Sequence, residues 1–258
     1  MATVLITGAS GGIGLELAKI FANDGYDLVL TARSENKLLE LQKELSAQYD
    51  ACSYVFPCDL AEKDAALAVY EFTRSKGIVI DVLVNNAGFG DCAYLAESDW
   101  QKQYDMVRLN IIALMQLTRV YLPEMKERRS GKILNIASVA SFCAGPGMSV
   151  YYASKAFVRS FSEAVAEEVR EYGVTVTALC PGPVNTGFEK AANLEGSKMF
   201  TLLHAADAHK VALCGYRALM RGRTLKYYGL SAKAMSLAVR VFPRALARKV
   251  AKKVNEKK

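Results

Sequence analysis

The first 25 residues place a strand, a glycine-rich turn and a helix in immediate succession. Thr3–Thr7 (TVLIT) is an apolar, β-branched run typical of a buried strand, and residues 15–25 have helical periodicity and end at glycine. Between them, Gly8, Gly12 and Gly14 form a G-x3-G-x-G pattern. Glycines permit a tight turn and close approach to a pyrophosphate, whose charge the helix N-terminus attracts. In this position the pattern predicts a dinucleotide-binding loop rather than an ordinary turn.

Strands and helices alternate along the rest of the chain. Further strands are predicted at residues 27–31, 52–57, 78–84, 131–137, 174–179 and 224–228. Helices are predicted at residues 35–48, 62–75, 99–129, 151–172, 231–241 and 243–258. Such alternation gives right-handed β-α-β crossovers and one parallel sheet. We therefore predict an α/β fold, a Rossmann-type doubly wound parallel sheet of about seven strands, in a single domain over residues 1–258.

The composition argues against a disordered chain, a membrane-spanning protein and a metal-binding protein. The 258 residues are 52% hydrophobic and 23% charged, which suits a large core and excludes a disordered chain. The opening MATVLITGAS has no basic leader, and without a run of about 18 apolar residues we predict no membrane span. The six cysteines form no C-x-x-C pair, so we predict reduced thiols in a cytoplasmic protein and no metal site.

The net charge of +7 lies in the C-terminal tail. Residues 240–258 hold eight basic side chains and one acidic one, whereas the other 239 residues hold 25 of each. A neutral body lacks the charge that neutralises phosphates on nucleic acid, so we predict no nucleic-acid partner.

The end of the second strand bears on cofactor choice. NAD-binding folds hold an acidic residue there, about 20 residues beyond the glycine loop, to bind the ribose hydroxyls. Here Ala32 and then Arg33 occupy the position. An arginine suits a 2′-phosphate, which favours NADP(H). The alternative is that Arg33 is an ordinary exposed surface residue.

The middle of the chain contains a serine hydroxyl, a tyrosine phenol and a lysine amine that could act together. Tyr151 and Lys155 are four residues apart and share one face of the helix 151–172, while Ser138 follows the strand 131–137. A phenol titrates near about 10, and a neighbouring ammonium lowers that pKa. The set predicts a proton-transfer site. Tyr152 competes with Tyr151 for the acid role, with packing as its alternative role.

The NNAG stretch and the single residue Asn110 add side-chain amides to this site. Residues 85–88 (NNAG) end a strand, where open α/β sheets bind ligands, although a plain turn is the alternative. Asn110 lies among apolar residues of the helix 99–129. Its amide either pairs with a nearby backbone group or holds a water beside the catalytic pair.

Seven landmarks in this order resemble the short-chain dehydrogenase/reductase family over residues 3–188. They are TG-x3-G-x-G (7–14), Asp59-Leu60, NNAG (85–88), Asn110, Ser138, Y-x3-K (Tyr151, Lys155) and PG-x-V-x-T (181–186). The resemblance implies an NADP-preferring enzyme whose catalytic tetrad is Asn110, Ser138, Tyr151 and Lys155. Some NADP-using members carry a basic residue inside the glycine loop. Gly11 replaces it here, so phosphate recognition rests mainly on Arg33.

The resemblance also implies the contacts of the cofactor. Asp59 contacts adenine, residues 86–88 line the ribose, and Val184 and Thr186 hold the nicotinamide amide. The implied cofactor-binding residues are Gly8, Ser10, Gly12, Ile13, Gly14, Arg33, Asp59, Leu60, Asn86, Ala87, Gly88, Tyr151, Lys155, Pro181, Gly182, Val184 and Thr186.

The implied chemistry is hydride transfer by the cofactor with the proton managed by the protein. Ser138 donates a hydrogen bond to the carbonyl oxygen and Tyr151 gives it a proton. Lys155 lowers the pKa of Tyr151 and binds the ribose, and Asn110 holds a water that links Lys155 to solvent.

The substrate is expected to be apolar. A lid is predicted at residues 187–205, and no cluster of Arg or Lys marks an anion site. The candidate pocket residues are Phe89, Tyr94, Phe142, Cys143, Met148, Phe188, Met199, Phe200, Leu202 and Leu203. The set favours an apolar ketone or secondary alcohol, such as a 3-ketoacyl or hydroxysteroid compound. The alternative function is a nucleotide-sensing binding protein without turnover.

The C-terminal region, about 231–258, departs from the family. Phe242, Leu246, Val250 and Val254 recur every four residues among many cations, as in a helix that lies on an anionic membrane. The alternative is a solvated helix that packs on its own domain or on a dimer mate. We expect a homodimer through the helices that begin near Asp99 and Tyr151, and the altered C-terminus weakens the case for a tetramer.

Overall fold

The computed structural model describes residues 1–194 and 205–256. Its strands are β1 (Thr3–Thr7), β2 (Asp27–Ala32), β3 (Ser53–Pro57), β4 (Val82–Asn85), β5 (Gly131–Ile136), β6 (Val174–Cys180) and β7 (Leu225–Tyr227). Its α-helices are α1 (Gly12–Asn23), α2 (Glu35–Tyr49), α3 (Ala65–Ser75), α4 (Trp100–Val107), α5 (Leu114–Glu127), α6 (Ser149–Glu168), α7 (Phe188–Ala191), α8 (Ala208–Met220), α9 (Leu230–Val241) and α10 (Arg244–Asn255).

The seven strands form one parallel sheet in the order β3-β2-β1-β4-β5-β6-β7. The predicted doubly wound α/β fold is therefore confirmed. The chain begins in the middle of the sheet, moves outward to β3, and then returns to the other side of β1. The order reverses between β1 and β4, and a crevice for ligands opens at the carboxyl ends of such neighbouring strands.

Both faces of the sheet are buried, which explains the continuous apolar strands. In β1, Val4 and Ile6 pack in one core with Leu17 and Phe21 of α1. Leu5 points to the opposite core. Alternate side chains of a strand point to opposite faces, so a strand covered on both sides is apolar throughout.

Several predicted elements differ in their bounds by a few residues; α3, for example, begins at Ala65 rather than at residue 62, and α6 spans Ser149–Glu168 rather than residues 151–172. β4 begins at Val82 rather than at residue 78, because the amide of Ile78 still donates to Thr73 O at 2.9 Å and completes the end of α3. The predicted helix 99–129 is divided into α4 and α5 by a π-helical turn at Arg108–Ala113. Such turns are rare and occur often at functional sites.

The C-terminal helices return to the carboxyl edge of the sheet. α10 begins directly after Pro243, which confirms the predicted restart. Ala251 and Asn255 of this helix are buried against the rest of the chain. The C-terminal helix thus packs on its own domain, which was one of the two alternatives for it.

Candidate active site

A cavity of about 1140 Å³ runs along the carboxyl edge of the sheet. It extends from the glycine loop between β1 and α1 to the helices α9 and α10. All of the predicted cofactor-binding and catalytic residues line it, except Gly14 and Asn110, which lie directly behind its wall. The fold therefore brings together residues that are as far apart in the sequence as Gly8 and Thr186.

The glycine loop packs closely against Thr186 and Asn86 only because Gly12 and Gly14 have no side chains. Gly12 lies in the left-handed region, at φ +55°, and a Cβ there would approach Thr186 Cβ to 2.8 Å. A Cβ on Gly14 would overlap Gly8 O and Asn86 Nδ2. α1 begins at Gly12, so its free amides face the cavity. This backbone cradle fits the phosphates of a dinucleotide.

Asn86 fastens the glycine loop to β4. Its side-chain amide donates to Thr7 O at 2.9 Å and to Gly8 O at 3.1 Å. The backbone amides of Asn86 and Ala87 both donate to Thr7 Oγ1 at 2.9 Å. These four bonds hold the ends of β1 and β4 together at the point where the strand order reverses. The NNAG stretch is thus a structural clamp beside the cavity and not a plain turn.

Two cations flank the end of the cavity beyond β2. The guanidinium of Arg33 is 80% exposed and lies 3.9 Å from the carboxylate of Asp59. Lys37, one helical turn further along in α2, lines the same end of the cavity. Sequence reasoning missed Lys37 because α2 is a charged surface helix, in which a single lysine does not stand out. Because position 32 holds Ala32 and no carboxylate, Arg33 and Lys37 fit an additional phosphate on the ribose.

Ser138 and Tyr151 form a hydroxyl pair in the centre of the cavity. Ser138 follows β5, and Tyr151 lies in the first turn of α6. Burial raises the pKa of Tyr151 to about 12, and the hydrogen bond with the Ser138 hydroxyl acts in the opposite direction. Tyr151 is therefore protonated at neutral pH and can serve as a proton donor.

Lys155 lies close to Tyr151, but its charge does not outweigh the effect of burial on the Tyr151 pKa. Its ammonium lies 5.9 Å from the centre of the Tyr151 ring and donates to Ile136 O at 2.8 Å. The lysine is 6% exposed, and burial lowers its own pKa to about 8. Desolvation thus governs both groups in the structure, and it opposes the predicted lowering of the Tyr151 pKa.

Asn110 lies in the π-helical turn and joins three parts of the site. Its Oδ1 accepts from the amide of Phe89 at 3.1 Å, and its Nδ2 donates to Phe89 O at 2.9 Å and to Ser154 Oγ at 3.1 Å. A Cβ on Gly88 would lie 2.9 Å from Asn110 Oδ1 and 3.4 Å from Lys155 Nζ. The side chain therefore pairs with nearby protein groups, which was the first of its two interpretations.

Tyr152 is turned away from the hydroxyl pair. Its hydroxyl donates to Asn255 Oδ1 at 3.1 Å, and its ring packs on Gly145. Burial raises its pKa above the ordinary value of a tyrosine. Of the two tyrosines, Tyr151 is therefore the one whose hydroxyl interacts with Ser138, while the hydroxyl of Tyr152 bonds to Asn255.

Beyond Tyr151 the cavity is apolar. Phe188 lies 5.4 Å from the Tyr151 ring, between ring centres. Of the predicted pocket residues, those that line the cavity are Phe89, Cys143, Met148 and Phe188. Phe142 instead packs on Tyr227, and Tyr94 lies under Lys252. The predicted lid residues Met199, Phe200, Leu202 and Leu203 lie outside the described residues.

The outer wall of the apolar part comes from the C-terminal helices. The lining residues from α9, α10 and their connection are Met235, Ala238, Val239, Phe242, Leu246, Ala247, Val250, Ala251 and Val254. The four-residue apolar period was visible in the sequence. This period shows that one face of the helix is apolar but not which part of the protein it packs against. The wall of the cavity could therefore not be assigned from the sequence.

Comparison with known proteins agrees with this geometry. The family model described as short chain dehydrogenase matches residues 2–196. A very-long-chain 3-oxoacyl-CoA reductase of Anas platyrhynchos is 35% identical over 73% of this chain and 62% of its own length. An (S)-acetoin-forming diacetyl reductase of Staphylococcus epidermidis is 32% identical over 80% of both chains. A short-chain dehydrogenase from Sphingobium yanoikuyae, solved in complex with NADPH, superposes with a TM-score of 0.84 at 29% identity, covering 92% of each chain. The chain belongs to the short-chain dehydrogenase family.

Proposed function

We propose that this protein is an NADP(H)-dependent oxidoreductase that interconverts an apolar ketone and a secondary alcohol. The observation that carries the proposal is the hydroxyl pair of Ser138 and Tyr151, where the glycine-lined part of the cavity meets its apolar part. A 3-ketoacyl or hydroxysteroid compound is the substrate class that suits the apolar wall. The relative that reduces a very-long-chain 3-oxoacyl-CoA supports the first of these.

Ser138 and Tyr151 divide the work on the substrate oxygen. When bound, NADP(H) supplies or accepts the hydride. Ser138 Oγ accepts from the amide of Ala140 at 3.1 Å, which leaves the hydroxyl proton free for donation to a carbonyl oxygen. Tyr151, protonated at neutral pH, gives its proton to that oxygen in the reductive direction; in the oxidative direction the phenolate form takes the proton of the alcohol.

Lys155 supports the proton transfer from behind. Its ammonium faces the Tyr151 ring, so its charge stabilises the phenolate that remains after Tyr151 has given up its proton. With a pKa of about 8, the lysine is mostly cationic at neutral pH. We propose that Lys155 also binds the ribose hydroxyls of the cofactor. We propose that Asn110 holds the backbone of Phe89 in position.

The choice of NADP(H) over NAD(H) rests on the cations beyond β2. Arg33 and Lys37 line the adenosine end, and Ala32 offers no carboxylate to a ribose hydroxyl. The Asp59 carboxylate, 3.9 Å from Arg33, orients the guanidinium. The Sphingobium yanoikuyae structure with NADPH supports the same choice.

Oxidation of NADPH and of NADH in parallel, against a panel of ketones, tests this function. We expect turnover of apolar ketones with a clear preference for NADPH. A protein that binds NADPH but turns over no ketone or alcohol would instead be the nucleotide sensor, which is the second candidate. Equal rates with both cofactors would refute the role of Arg33 and Lys37.

We further propose a cytoplasmic homodimer with a peripheral membrane contact. Cys52, Cys58, Cys143, Cys180 and Cys214 are free thiols, which suits a reducing compartment. Trp100, Tyr104 and Ile112 are exposed on the α4–α5 face and suit a dimer interface. Within residues 1–194 and 205–256, no helix has the length and apolarity to cross a bilayer. Basic side chains on α10 suit anionic lipid instead.

Vesicle sedimentation tests the membrane contact. We expect the protein to pellet with anionic vesicles and to remain in solution with zwitterionic ones. A double substitution, Lys249→Glu with Lys253→Glu, reverses charge on the exposed part of α10 and should abolish pelleting. Equal recovery with both kinds of vesicle would refute the contact.

A further inference from the structure

The last described turn of the chain contains a buried polar side chain. Asn255 of α10 is 2% exposed, three residues before the end of the sequence. Its Nδ2 donates to Pro146 O at 3.0 Å, and its Oδ1 accepts from the Tyr152 hydroxyl at 3.1 Å. Its backbone oxygen accepts from the Cys92 thiol at 3.6 Å. A C-terminal residue thus reaches three separate parts of the site.

The two partners of the Asn255 side chain belong to the segment that carries Tyr151. Pro146 lies in the loop before α6, and the amide of Tyr152 donates to Met148 O at 3.0 Å. The rings of Tyr151 and Tyr152 are 6.2 Å apart, centre to centre. Asn255 therefore ties α10 to the loop and helix turn that lie next to Tyr151.

The same helix presents an apolar face to the cavity. Ala251 is buried against the domain, whereas Leu246 and Val250 line the cavity and are 47% and 55% exposed. Side chains that line the cavity and also face solvent mark its mouth. The cations Arg248, Lys249 and Lys252 are exposed and do not line the cavity.

We propose that α10 is a substrate-binding wall for an extended apolar tail, and that Asn255 is the positioning residue that latches this wall onto the acid-bearing loop. The tail would run from the carbonyl at Ser138 and Tyr151 to the mouth at Leu246 and Val250. A short ketone would occupy only the region near Tyr151 and would not touch α10. This inference rests on the proposed function and specifies the substrate class of the same site.

The latch is strong because its members are buried. Replacing Asn255 by alanine leaves the Tyr152 hydroxyl and Pro146 O without their partner inside the protein, and an unpaired buried polar group is costly. The helix then loses its attachment, while the sheet and the glycine loop keep all of their contacts. The expected defect is therefore in tail binding and not in the chemistry at Tyr151.

Matched ketones of different length test the proposal. We expect Asn255→Ala to lower kcat/KM for 2-decanone at least about tenfold and for 2-butanone no more than about twofold, as expected for loss of a buried hydrogen-bonded anchor. Glu256→Gln, an exposed neighbour, should leave both ketones unaffected. Tyr152→Phe removes the same bond, so the double variant should be no more selective against 2-decanone than the stronger single variant.

Hydrogen exchange gives a readout that does not depend on turnover. The amides of α10 should exchange faster in Asn255→Ala than in the natural protein or in Glu256→Gln, while those of β1 and β4 stay protected. Equal losses for the two ketones, or unchanged exchange in α10, would overturn the latch. If the natural protein reduces no ketone, the proposed function and the tail site fail together, and faster exchange would still establish the latch.

Discussion

The two parts of the cavity are built in different ways. The cofactor part is made from backbone and short side chains at the carboxyl ends of neighbouring strands, where Gly14 lies close to Asn86 and Gly12 lies close to Thr186. The substrate part is made from apolar side chains of helices, and its outer wall comes from α9 and α10 at the far end of the chain. The first depends on rigid sheet geometry and the second on the docking of helices.

This difference explains how one family holds a common chemistry and varied substrates. Changes at strand ends disturb the sheet and the cofactor together. Changes on α10 alter the shape and reach of the cavity without altering the register of β1 and β4. The hydroxyl pair of Ser138 and Tyr151 lies between the two parts and serves both.

The strongest test addresses this junction. We expect Tyr151→Phe to lower kcat about 10²- to 10⁴-fold, because the general acid is lost, with little change in NADPH affinity. Tyr152→Phe keeps the acid and should lose far less turnover on a short ketone. Steady-state kinetics with NADPH-binding fluorescence measures both. A larger loss of turnover in Tyr152→Phe would exchange the roles of the two tyrosines.

The second test measures how much the buried charge of Lys155 lowers the free energy of unfolding. Unfolded Lys155 has a pKa near 10.5 and the folded one about 8, so the unfolded chain binds more protons between these values. The stability of the cofactor-free protein should therefore rise as the pH increases from 8 to 10. Lys155→Met should be more stable at pH 7, by up to about 3 kcal/mol.

Urea denaturation at pH 7, 8, 9 and 10 measures this difference in the free energy of unfolding. The gap between Lys155→Met and the natural protein should close as the pH rises, because the lysine becomes neutral in the folded state. A gap that stays constant across the series would show that packing, and not charge, sets it.

The third test compares the two parts directly. Gly14→Ala forces a methyl group onto Gly8 O and Asn86, so we expect a loss of about 1–3 kcal/mol in the free energy of unfolding and weaker NADPH binding. Gly11→Ala is the matched control, since a Cβ there meets nothing within 4 Å. Val250→Ala at the exposed mouth should cost less than about 0.5 kcal/mol.

Urea midpoints and NADPH titrations on the three variants provide the measurement. If Val250→Ala were as destabilising as Gly14→Ala, the mouth would be part of the rigid core, and the contrast between the two parts of the cavity would be lost.

The smallest expected effect concerns cofactor selectivity. Arg33→Ala and Lys37→Ala should each raise the KM for NADPH about tenfold, as for loss of one charge-assisted hydrogen bond, and leave that for NADH unchanged. Comparison of the two cofactors with one ketone measures it. Equal weakening of NADPH and NADH would mean that these cations act on the shared phosphates or on folding.

Local patterns were enough to predict most of the cofactor part. The strand-turn-helix at Thr3–Asn23, the Arg33 position and the Tyr151–Lys155 spacing each span one or two elements, and backbone physics restricts what such patterns can form. The Tyr151–Lys155 spacing predicted a lowered pKa for Tyr151, whereas burial raises that pKa in the structure. Spacing reports proximity, whereas burial decides which protonation state is favoured.

The sequence by itself determined the parallel sheet and the glycine cradle, because these follow from short-range periodicity and the conformational freedom of glycine. Residue spacing together with the family resemblance identified the hydroxyl pair. Only the tertiary structure decided that Asn110 clamps Phe89, that Lys37 joins Arg33, and that α10 is latched by Asn255 to Tyr152. An apolar helix face must pack against something, but the residues of the helix do not specify which segment that is. That choice depends on the packing of segments more than one hundred residues apart, as for Tyr152 and Asn255.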